Sequence, residues 1–109
     1  MASTDTQTFN SHNPVNNEVI TSHEIFNREA VQAAVDRARA ASHEWRELGF
    51  RGRRKILLKW SSDLLANVDQ LVELVALETG KPISDAKLEA SLAAGHIAWA
   101  ARHAESVMR

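Results

Sequence analysis

The chain has 109 residues, of which 44% are hydrophobic and 25% charged, with a formal net charge of −1, so it has material for one modest core and not for two. Near neutrality argues against nucleic-acid or membrane-surface binding, which rests on a basic face releasing counterions. With no cysteine there is no disulfide, no thiolate metal site and no thiol nucleophile in this chain.

The N-terminus, "MASTDTQTFNSHN", lacks the basic start and apolar block of a secretory signal. No apolar run approaches the ~20 residues that span a bilayer, so a cytoplasmic location is expected. Residues 1–12 are rich in Ser, Thr, Asn, Gln and Asp, too polar to bury much area, and are expected to form a disordered tail that Phe9 alone could anchor. "NPVNNEVI" then opens a turn at Asn13-Pro14, continues through Asn16-Asn17, which tolerate left-handed backbone angles, and starts a strand at Glu18-Val19-Ile20. A small hairpin from about Thr8 to Ser22 is the expected element, and it needs a partner surface to be stable.

Asn27 is placed to cap a helix, with Glu29 in the first turn favouring the dipole. Val31, Ala34, Val35, Ala38, Ala41, Trp45 and Leu48 recur at three- and four-residue steps, and the helix is expected to end near Leu48-Gly49. A second helix starts near Gly52 and carries Ile56, Leu57, Trp60, Leu64 and Leu65. "ANVDQ" interrupts it: the favoured reading is that Asn67 caps a third helix whose apolar face is Leu71, Val72, Leu74, Val75 and Leu77, the alternative a kink within one long helix.

"LETGKP" ends that helix. Gly80 suits the left-handed position after the last turn, Lys81 lies at the negative end of the dipole, and Pro82 prevents continuation. Ser84 is the expected cap of the last helix. Along it Ala86, Ala90, Ala93, Ile97, Ala100, Ala104 and Val107 form one stripe, with Leu88, Leu92 and Trp99 on an adjoining face. A helix apolar over so much of its circumference needs neighbours on more than one side.

The chemical motifs are weak. A phosphate-cradling loop needs G-x-x-x-x-G-K-[ST] ahead of a helix; here Val75 and Pro82 occupy the first-glycine and hydroxyl positions, and the segment follows a helix. "RGRRK", Arg51–Lys55, places cations at a helix start, where they oppose the dipole. It therefore calls for carboxylate partners, Glu44 and Glu47 being nearest across the turn, and reads as a paired or solvated face in preference to a nucleic-acid patch. His12, His23, His43, His96 and His103 never fall three or four apart as helical metal pairs do. Ser61-Ser62-Asp63 reads as a helix face, and Asp85 with Glu89 as surface carboxylates near Lys87. No catalytic, cofactor-binding or metal residue is assigned.

Taken in order, "NPVNNEVI", "VQAAVDRARAASHEW", "RGRRKILLKWSSDLLANVDQLVELVALETGKP" and an Ala-rich helix resemble the N-terminal portion of the aldehyde dehydrogenase superfamily, from about Phe9 to the last residue. "NP…EVI" and "LETGKP" are the tightest matches. Asn17 stands where that family usually has glycine, a change the left-handed tolerance of asparagine permits.

The resemblance implies a parent that oxidises an aldehyde to an acid with NAD or NADP. A cysteine thiolate attacks the carbonyl, hydride passes to the nicotinamide, and a glutamate activates the water that releases the acyl group. An asparagine amide and a backbone N–H hold the oxyanion. Those parts are expected beyond Arg109, so no family residue of that machinery is carried onto this chain, and Glu78 and Lys81 keep structural roles. The expected fold is mostly α, a short N-terminal β-hairpin plus three to four helices, forming with residues 13–109 an incomplete part of an α/β nucleotide-binding lobe. The chain stops within or just after a helix, which fits a truncated product or an expressed segment. Expected partners are the rest of that fold and a homo-oligomer, with neither nucleic acid nor membrane. The alternative is an independent helical interaction module of the same descent.

Overall fold

A computed structural model describes residues 7–108. Thr8–His12 (β1) and Val19–Glu24 (β2) form an antiparallel hairpin, with Thr8 opposite Glu24 and a register shift between Ser11 and His12. Its connection follows from asparagine chemistry. Asn13 Oδ1 accepts from the Val15 N–H at 2.9 Å, Asn16 Oδ1 accepts from the Glu18 N–H at 3.1 Å, and Asn17 takes the left-handed conformation at φ 62°. The hairpin is therefore two residues longer than expected at its far end. It also claims residues that the expected disordered tail of 1–12 included: backbone pairing with β2 orders Thr8–His12, despite their polarity, while residues 1–6 lie outside the described residues.

Helix α1 spans Arg28–Glu47, capped by Asn27, whose Oδ1 accepts from the Ala30 N–H at 2.8 Å. Gly49, at φ 60°, turns the chain directly into α2, Gly49–Ala66. The second helix thus begins three residues before the expected Gly52, because one left-handed residue is enough to redirect the chain. Helix α3 spans Val68–Thr79, leaving only Asn67 between the two. Asn67 holds the expected N-cap position of α3, its carbonyl accepting from the Leu71 N–H at 3.2 Å, but its side chain makes no capping bond there. At φ −112° and ψ 20° its side chain turns to α2, where Nδ2 donates to the Asp63 carbonyl at 2.8 Å.

Gly80, at φ 71°, ends α3, its N–H donating to the Ala76 carbonyl at 2.9 Å. Helix α4 runs Ile83–Val107. Pro82, not Ser84, holds the cap position: its carbonyl accepts from the N–H groups of Asp85 and Ala86 at 3.0 and 3.1 Å. Proline at φ −57° and ψ 147° is already extended on the side the helix must leave, so Ser84 falls inside the first turn.

The core lies where α4 packs on α2 and α3. Its buried members are small: Val72, Ser61, and from α4 Ala86, Ala90, Ala94 and Ala101. Ala93 and Ala100, expected in the buried stripe, are exposed. The buried face is rotated from the expected one by about 40°, since α4 keeps a four-residue step longer than the four-three alternation suggested. Alanine allows α4 to approach α2 closely, and Ser61 Oγ donates to the Ala94 carbonyl at 2.8 Å across that contact. Helix α1 buries no residue and leaves Val31, Val35, Trp45 and Leu48 exposed. The radius of gyration is 18.5 Å, against ~13 Å for a closed domain of this length. Much apolar surface is left without a partner inside the chain.

Candidate functional site

The strongest long-range arrangement joins the two most distinctive strings of the sequence. "NPVNNEVI" forms the hairpin turn, and "LETGKP" the α3–α4 junction. A Cβ placed on Gly80 would lie 3.1 Å from Pro14 Cγ and 3.4 Å from Val15 Cγ2. Glycine is required there twice over, by its positive φ and by the approach of the turn. Beside it Ser11 Oγ donates to Glu78 Oε1 at 2.8 Å. Lys81 Nζ lies 2.6 Å from Glu89 Oε1, tying the junction to the second turn of α4. Thr79 Oγ1 donates to the Val75 carbonyl at 2.6 Å, within the last turn of α3. The string is a clasp holding strand, helix and helix together.

The basic segment is also structural. Arg54 Nε donates to the Ala101 carbonyl at 3.2 Å and Nη2 to the Arg102 carbonyl at 3.3 Å, with Glu105 Oε2 at 3.7 Å. The guanidinium, a rigid fork of donors, therefore holds the last turns of α4 against α2. Arg53 bonds back to the Gly49 carbonyl at 3.1 Å and lies over the Phe50 ring at 4.8 Å. Among the described residues no ion pair joins this segment to Glu44 or Glu47, the partners expected for it, because α2 turns Arg54 towards α4.

The remaining sequence candidates do not converge. Ser61 is buried with its hydroxyl given to a backbone carbonyl, and Asp63 pairs with Lys59 at 2.6 Å. His12 Nδ1 donates to the Asn17 carbonyl at 3.1 Å, and His23 lies against Phe9. His103 Nδ1 donates to the Trp99 carbonyl at 2.8 Å, its ring stacked on the indole at 4.6 Å. Among the described residues no three His, Asp or Glu side chains gather as metal ligands. Two open, mainly apolar grooves lie along α1 by Ala41, Trp45 and Leu48 and at the α2–α3 elbow by Trp60, Leu64 and Leu71. Neither brings an acid, a base and a nucleophile together. No described helix is long and apolar enough to cross a membrane.

The sequence reading missed Ser11, Arg54 and Ser61 as contacts. Each acts over 33 or more positions, beyond the reach of any local pattern.

Fold and contacts thus define a hairpin clasped to a helical layer. The sequence model of the aldehyde dehydrogenase family matches residues 1–109, and the chain belongs to that family. It is 34% identical over 101 residues to a probable succinate-semialdehyde dehydrogenase (NADP+) of Sinorhizobium fredii, covering 93% of this chain and 21% of that protein. It is 35% identical over 95 residues to the succinate-semialdehyde dehydrogenase (NADP+) GabD of Escherichia coli, covering 87% of this chain and 20% of that one. The chain therefore spans about a fifth of the length of the curated relatives it matches.

Proposed function

We propose that this chain is the N-terminal structural segment of an NAD(P)-dependent aldehyde dehydrogenase and has no catalytic activity by itself. The observation that carries the reading is the clasp between the Pro14 turn and Gly80. It joins the two strings of highest family resemblance, and it builds a surface instead of a reaction centre. The chain has no cysteine to form a thiohemiacetal. Its exposed apolar residues, Trp45, Leu48, Trp60 and Trp99 among them, suit a layer that the rest of a cofactor-binding lobe covers. For that whole enzyme the names of the relatives favour NADP+ and a short semialdehyde carrying a carboxylate. Homo-oligomeric assembly and a cytoplasmic location belong to the same reading.

The test is spectroscopic. The purified chain, given succinate semialdehyde with NADP+ or NAD+, is expected to form no reduced nicotinamide above a heat-killed control. Aldehyde-dependent turnover would overturn the reading.

A second reading, an independent helical module that binds a partner, is favoured by one observation: α1 buries nothing within the chain. It predicts a sharp, cooperative thermal transition for the isolated chain, whereas a segment lacking its covering domain unfolds broadly or aggregates.

A further inference from the structure

We draw no further inference here: the strongest candidate, the open apolar groove along α1 lined by Ala38, Ala41, Trp45 and Leu48, is an unpartnered face, and nothing in the structure shows what covers it.

Discussion

Ser11 and Glu78 stand 67 positions apart in the chain and 2.8 Å apart in space, the serine hydroxyl donating to the carboxylate. The bond sits beside the contact of Pro14 and Val15 with Gly80, so the hairpin is held to the helices by one polar and one apolar attachment. Removing the hydroxyl (Ser11→Ala) is expected to cost about 0.5–1.5 kcal/mol, reduced by solvent because Glu78 is exposed and Ser11 only half-buried. A double-mutant cycle with Glu78→Gln, followed by thermal denaturation, isolates the pair. A coupling energy near zero would show that the apolar contact alone positions the hairpin.

Gly80 and Gly49 share a left-handed backbone but not an environment. Alanine at either position takes on about 1–2 kcal/mol of conformational strain. At Gly49 nothing lies within 4 Å of the added methyl, whereas at Gly80 it would meet Pro14 at 3.1 Å. Gly80→Ala is therefore expected to destabilise more than Gly49→Ala in denaturant titrations. It should also raise amide exchange in β1 and β2, which Gly49→Ala should leave unchanged.

Arg54 is the connection between α2 and the end of α4. Its side chain is 37% exposed, so its ion pair with Glu105 contributes little after screening. The bonds to the carbonyls of Ala101 and Arg102 matter more. Arg54→Met, which keeps most of the apolar stem, is expected to lose about 1–2 kcal/mol and to speed hydrogen exchange in the last two turns of α4. Arg54→Lys should restore little, because an ammonium lacks the fork that spans two carbonyls.

Ser61 measures how closely α2 and α4 approach. Ser61→Ala removes the bond to the Ala94 carbonyl but leaves no large void, so about 1 kcal/mol is expected. Ser61→Leu has to insert a bulky side chain against Ala94, which is fully buried, and overpacking of that kind costs about 1–3 kcal/mol. Equal stability of the two variants would mean that the helices move apart freely.

Element boundaries were readable wherever a single residue enforces them. Asn27 caps α1 through its own side chain, Gly49 and Gly80 adopt the positive φ their positions demand, and Pro82 follows the end of α3. The errors arose where two neighbours competed for one role. Asn67 faces two helix ends at once and satisfies the carbonyl of Asp63. Ser84 lost the cap to Pro82, whose extended backbone already supplies the first acceptor. The cations of "RGRRK" could be seen to need partners, but Arg54 found Glu105 and two carbonyls 47 and 48 positions away, beyond any local pattern.

By itself the sequence determined the hairpin, the succession of four helices, the family and the absence of a thiol nucleophile, because each rests on local backbone chemistry or on residue identity. Tertiary structure decided which side of α4 is buried. A helix apolar nearly all round has no periodicity that marks a unique inner face. The choice fell to Ala86, Ala90, Ala94 and Ala101 because small side chains let α2 and α3 come close, and so Leu88, Leu92 and Trp99 were left to face outward.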